Sequence, residues 1–315
     1  MTATISSVIT DYLNVVKLAR SQNTTLTYGK ALKEFKKVLA KAKIDPDTSP
    51  ASGLTEDLAS KFVMHLKSFS PATEQVYVRA LARFFKYLSA ERLAEINLPR
   101  MDLLIEQRSR KPGIRLPQFP TNEIERILES VTDVANLPAE SQTERLRAMR
   151  DRAFLLTLAD TGLRVHEACN LRRGDLDWNE GRAVIIGKGD KQAVIRFTSR
   201  SMRALKEYLS LRAAMDGGSG KQLTALPLFA RHDKGTGKKV KPITPTTGRS
   251  IVAERVQQIL GSEAEGHITP HSFRHYFVST ILKASGNLKL AQALARHENI
   301  QIILRFSHIN DDVFD

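Results

Sequence analysis

The strongest constraint on this chain is an ordered set of basic and imidazole side chains that any fold must bring together. Arg164 ends the run Thr161-Gly162-Leu163-Arg164, and Lys188 lies between two glycines in Gly187-Lys188-Gly189. His271 and Arg274 flank Ser272-Phe273, and His297 follows a short apolar stretch. The steps are 24 residues from Arg164 to Lys188, 3 from His271 to Arg274 and 26 from His271 to His297. Phe306 comes 9 residues after His297. Guanidinium is planar, permanently charged and able to donate two parallel hydrogen bonds to phosphate oxygens. Imidazole donates to an oxygen or exchanges a proton near neutral pH. A lysine at a glycine-flanked hairpin tip can reach into a groove. Together these groups suit a phosphodiester whose oxygens gain charge in a transition state.

Bulk properties agree with a polyanionic partner. The chain has 315 residues, 48 Lys and Arg against 34 Asp and Glu, and a net charge of +14. A balance this basic points to nucleic acid. The length allows two domains, each with its own core. There is no apolar run long enough for a membrane span and no signal peptide, so the expected location is the cytoplasm. The single cysteine, Cys169, cannot form an intrachain disulfide. Its apolar helical context reads as a buried structural thiol.

Residues 1–97 read as a mostly helical DNA-binding domain. Ser70-Pro71 starts a helix whose Leu81, Phe84, Phe85 and Leu88 mark a core face. Arg79, Arg83 and Lys86 fall on another face of it. Lys33, Lys37 and Lys41 form a similar stripe on an earlier helix. Each stripe is either a solvated face or a row of phosphate contacts. Residues 98–120 carry Arg108, Arg110, Lys111, Pro112, Gly113 and Arg115, and read as an extended connector, either an ordinary flexible linker or a basic strap that crosses the DNA backbone. The second domain, 121–315, holds a buried helix ending at Thr161-Gly162. Two strands follow, around 184–186 and 193–197, joined by a tight turn. Residues 211–248, rich in Gly, Lys, Thr and Pro, read as a surface loop.

The order and spacing of Arg164, Lys188, His271, Arg274, His297 and position 306 resemble the tyrosine recombinases, or phage-type integrases, and especially their Xer-like branch. The resemblance implies a mainly α fold with a small antiparallel β-sheet, in two domains forming a C-shaped clamp around duplex DNA. It makes Arg164 and Arg274 the phosphate clamp, Lys188 the general acid for the leaving 5′ oxygen, and His271 and His297 donors at the phosphate. Glu167, three residues after Arg164, resembles the acidic residue that orients the arginine; the alternative is an exposed pair of little energetic worth. Lys191 is a weaker candidate for the role of Lys188 and for a DNA contact. The implied partners are a double-stranded recombination site, a homodimer per site, a homo-tetramer on two sites and an accessory protein in some systems. The implied source is a bacterium or a mobile element. The chemistry needs no cofactor and no metal; a zinc site from His271, His275 and His297 lacks supporting cysteines or carboxylates.

Two residues depart from the family pattern. Arg296 stands where glycine commonly precedes the second histidine. Phe306 stands at the nucleophilic tyrosine, between Arg305 and Ser307-His308, which match the usual surroundings. Phenylalanine keeps the ring and deletes only the oxygen. With the other motif residues intact, this reads as a Tyr→Phe cleavage-deficient variant that still binds DNA. The alternative is a naturally non-catalytic DNA-binding regulator. Topoisomerase-like or telomere-resolving enzymes share the chemistry, but the N-terminal helical domain favours recombination. The chain ends 9 residues after Phe306, so the expectation is a short or truncated tail.

Overall fold

The computed structural model describes residues 3–111, 120–133, 138–187, 192–233, 239–264 and 266–296. The chain divides into two compact units, residues 1–115 and 116–315. Both are helical, and the second adds a small antiparallel sheet, the fold class expected.

In the first unit, α1 (Ile5–Ala19), α2 (Gln22–Lys41), α3 (Asp57–His65) and α4 (Pro71–Ala90) pack around one core. The sequence sets their starts: the side chains of Thr4, Ser21 and Ser70 each accept an N–H from the first turn. Leu81, Phe84, Phe85 and Leu88 are buried, and Phe84 and Phe85 meet edge to face. Lys33, Lys37 and Lys41 on α2 and Arg79, Arg83 and Lys86 on α4 are exposed. Lys37 pairs with Glu34 at 2.7 Å and Lys86 with Asp102 at 3.3 Å. Pairs this exposed add little stability and leave the charges open to other partners.

The extended linker expected over 98–120 is corrected in its first half. Leu98–Arg108 forms a helix, α5, capped by the Asn97 side chain and anchored by buried Met101. The next residues are fastened as well. The fully buried Glu74 carboxylate of α4 accepts the Arg110 N–H at 2.8 Å, its Nε at 2.6 Å and the Lys67 Nζ at 2.8 Å. Arg110 Nη2 also donates to the Phe69 carbonyl at 2.7 Å. The guanidinium proposed for a phosphate is therefore engaged within its own unit, because a buried carboxylate needs its charge. Lys111 is exposed and Arg108 half-buried.

The second unit is built on α7 (Gln142–Thr161), buried on every side from Met149 onward. A helix buried all round shows no amphipathic stripe, and its buried face includes the charged Arg150, Asp151, Arg152 and Asp160. Around it stand α6 (Thr121–Asp133), α8 (Val165–Asn170), α9 (Ser199–Leu211) and α12 (Pro270–Ser285). The short α10 (Ala213–Gly217), then α11 (Pro245–Leu260) and α13 (Leu288–Ala295), complete the helices among the described residues. Strands β1 (Leu176–Asp177), β2 (Arg182–Ile186) and β3 (Gln192–Arg196) form an antiparallel sheet in that order, with Val184 opposite Val194. Ala183, Ile185 and Ile195 point inward.

The reading of 211–248 as a surface loop is corrected too. Leu226, Leu228, Phe229 and Ala230 are fully buried, and Phe229 stands edge-on to Phe154. Buried Arg212 makes this possible. It donates to the Pro227 and Leu228 carbonyls at 2.8 and 3.1 Å and pairs with Asp216 at 2.9 Å. Cys169 is buried as expected, and burial pushes its thiol up to about 12.

Candidate active site

The site begins where α7 stops. Gly162 takes the left-handed conformation, φ +59°, and ends the helix. A Cβ there would lie 2.4 Å from Phe277 Cδ1, so only glycine fits. At the same corner Asp160 accepts from Thr198 and from Arg200 Nε at 3.0 Å, fixing the start of α9 to the end of α7. The chain then turns into α8 with Arg164 at its N-cap.

Glu167 gathers that turn. Its side chain is 2% exposed. It accepts the Arg164 N–H at 2.8 Å and Arg164 Nη1 at 3.0 Å. Burial alone would raise this carboxyl. The Arg164 N–H, the Arg296 charge and the Arg164 guanidinium outweigh burial and hold it below the usual range. The pair is thus a buried carboxylate setting an arginine, not an exposed pair. The Arg164 side chain remains 37% exposed.

Arg274 and His271 come from α12, whose first turn carries Pro270 after Thr269. Arg274 is almost fully buried and donates to the backbone carbonyls of Gly162 and Ala295. Burial, then the charges of Arg164 and Arg296, bring its guanidinium down to about 9. It stays protonated at neutral pH. Burial is the main cause of the depression, and the neighbouring cations add to it. His271 is exposed at the same end of the helix. Loss of hydration, then the charges of Arg274 and Arg164, lower its imidazole below the ordinary histidine range. Its ring stands edge-on to His275 with centroids 4.3 Å apart.

One more guanidinium enters, which sequence reasoning treated only as a local exception. Arg296 closes α13 in the left-handed region, φ +55° and ψ 45°. That conformation costs a residue with a Cβ about 1 kcal/mol, which explains why glycine suits the position. Its Nη2 donates to Glu167 Oε2 at 3.2 Å. The glycine that commonly stands at this position was the available signal; the distant carboxylate gave none.

Arg164, Glu167, His271 and Arg274 are therefore brought together, with Arg296 added. Lys188, Lys191, His297 and Phe306 lie outside the described residues. Among the described residues no group of three His, Cys, Asp or Glu side chains could hold a metal, and no helix is long and apolar enough to cross a membrane.

This arrangement can be set beside known proteins. The fold matches that of the XerH site-specific recombinase in a post-cleavage complex with palindromic difH substrate (TM-score 0.66, 20% identity, 92% of this chain and 77% of that one). It also matches a λ integrase dimer bound to a core site (TM-score 0.64, 17% identity, 96% and 95%). Residues 119–312 match the model of the phage integrase family, and the chain belongs to that family. Among its relatives are the tyrosine recombinase XerC of Bacillus subtilis, 29% identical over 96% of this chain and 91% of that one, and XerC of Thermodesulfovibrio yellowstonii, 27% identical over the same shares. These relatives agree with the Xer-like branch read from the motifs.

Proposed function

We propose that this chain is a site-specific DNA recombinase disabled at its nucleophile. The observation that carries the reading is the convergence of Arg164 and Arg274 beside His271, braced by buried Glu167, in a member of the phage integrase family. Arg164 presents an exposed guanidinium to a non-bridging oxygen, and Arg274 supplies the second positive charge. His271 can donate to an oxygen or take the nucleophile's proton.

With tyrosine at position 306, its hydroxyl oxygen would attack phosphorus and form a 3′-phosphotyrosyl bond. The P–O bond to the 5′ carbon's oxygen would break, and that oxygen would take a proton from Lys188. A 5′-hydroxyl from a partner strand would reverse the steps. The bond energy is kept, so neither ATP nor metal is called for. His297 would steady a non-bridging oxygen. The roles of Lys188, His297 and position 306 rest on the family resemblance. The same resemblance supports a dimer on each site and a tetramer on two. It also supports a cytoplasmic protein of a bacterium or mobile element.

Phe306 favours a second reading, a DNA-binding regulator descended from such an enzyme. The experiment compares Phe306→Tyr with the chain as it stands. The DNA is a nicked duplex whose sequence is recovered by selection from a random library with this protein, incubated without metal and run on denaturing gels. An adduct with the tyrosine variant alone supports the disabled recombinase. Tight binding by both proteins and no adduct from either supports the regulator.

A further inference from the structure

Arg296 combines two unfavourable features in one residue. Its backbone sits in a conformation that glycine adopts freely and other residues adopt at a cost. Its guanidinium is on a side chain only 15% exposed, and among the described residues its Nε and Nη1, shielded from water, have no hydrogen-bond partner. Buried donors are normally satisfied, and an unmet pair at a crowded site points to a ligand.

The surrounding charge says which kind. Arg164 and Arg296 both bond Glu167, and Arg274 lies within electrostatic reach of all three. Among the described residues three cations face one carboxylate, an excess of two positive charges. A phosphodiester carries one negative charge. As a fifth oxygen adds to phosphorus, the non-bridging oxygens move toward two, so the surplus matches the reacting phosphate better than the resting one. Of the Glu167 bonds, that to Arg296 is the longest, 3.2 Å against 2.8 and 3.0 Å. It is the contact most easily exchanged.

We infer that Arg296 is a third arginine donor to the phosphate held by Arg164 and Arg274, turning from Glu167 to a non-bridging oxygen when DNA binds. This rests on the reading of the site as a phosphate site. The residue replaces the freedom of glycine with a charge that the site uses only in the complex.

The test measures binding at fixed salt with the duplex recovered by selection, and with a series in which one phosphate at a time is a neutral methylphosphonate. The proteins are the chain itself, Arg164→Ala, Arg296→Gly and Arg296→Lys. The Arg164 variant first locates its phosphate: the position where its binding defect disappears. Arg296→Gly should bind the unmodified duplex about tenfold more weakly, the effect of losing a charged hydrogen bond. That defect should vanish at the same phosphate, and lysine should restore part of the affinity. Because glycine suits the backbone there, thermal unfolding should show a folded protein. A defect in Arg296→Gly that persists at that methylphosphonate, or no defect at all, overturns the inference while leaving the phosphate site intact. If Arg164→Ala is coupled to no single phosphate, the underlying reading falls and this inference with it.

Discussion

The Arg274 guanidinium donates to the carbonyl of Gly162, 112 residues earlier in the chain. One hydrogen bond thus ties the end of the central helix to the helix bearing His271. The glycine's positive φ is what aims its carbonyl at Arg274. Gly162→Ala forces a Cβ into Phe277 and into the left-handed region. The expected loss is about 3 kcal/mol, the sum of a backbone and a packing penalty. Thermal unfolding of residues 116–315 within the whole chain should register it. An unchanged melting temperature would contradict the steric account.

Glu167 is the next test of the same corner. Glu167→Gln keeps the shape and an oxygen able to accept the Arg164 N–H, but removes the charge facing Arg164 and Arg296. Breaking a buried pair from one side costs about 3 kcal/mol. The wild-type carboxyl is held below its ordinary value. Its contribution is therefore present above the unfolded value and is lost as pH falls through the folded one. The variant should lose stability at neutral pH, and the gap between the two proteins should narrow in acid. A constant gap in urea titrations across pH 7 to 3 would refute the role of the charge.

Much of this corner was legible in the sequence. Thr161-Gly162 marked a helix end, and the three-residue step from Arg164 to Glu167 placed both on one face. The apolar spacing of Leu81, Phe84, Phe85 and Leu88 gave the first core. What escaped notice depends on distant partners. The Arg296–Glu167 contact spans 129 residues. Helix α5 buries only Met101, so its stripe was too thin to stand out beside the following Pro112-Gly113. Leu226 to Ala230 lacks periodicity, and its burial depends on carbonyls being met by Arg212 from another helix.

His232 offers a pH test away from the candidate active site. Its ring is buried, with Nε2 2.8 Å from the Tyr208 hydroxyl. Burial, then the charges of Arg150, Arg212 and Arg147, bring its pKa down to about 3. An unfolded histidine titrates near 6.5. The folded state therefore binds fewer protons between those values. Stability is full above the unfolded pKa and falls as pH drops toward the folded one, by up to about 1.4 kcal/mol per pH unit. His232→Gln should flatten the decline between pH 6 and 4. Equal slopes for both proteins, read from denaturant midpoints at each pH, would mean that His232 is not the group responsible.

Arg110 and the exposed stripes should part company in salt. Lys33, Lys37, Arg79 and Arg83 stand exposed, whereas Arg110 is bound to Glu74 and to the Phe69 carbonyl. If the stripes meet phosphates, each alanine substitution there should lower the slope of log K against log salt by about 1 and leave folding unchanged. Arg110→Ala should do the reverse. It strips a fully buried carboxylate of its one guanidinium donor, Nε, while the backbone N–H of residue 110 stays, for a loss of about 3 kcal/mol. The salt slope of the folded protein should stay as it was. Lys67 remains on Glu74 at 2.8 Å and limits the damage, so Glu74→Ala, which frees both cations to water, should cost less than the Arg110 change. Duplex titrations at several salt concentrations, paired with unfolding curves, separate the two classes. A stripe substitution that destabilises the fold, or an Arg110 substitution that lowers the slope, would exchange their assignments.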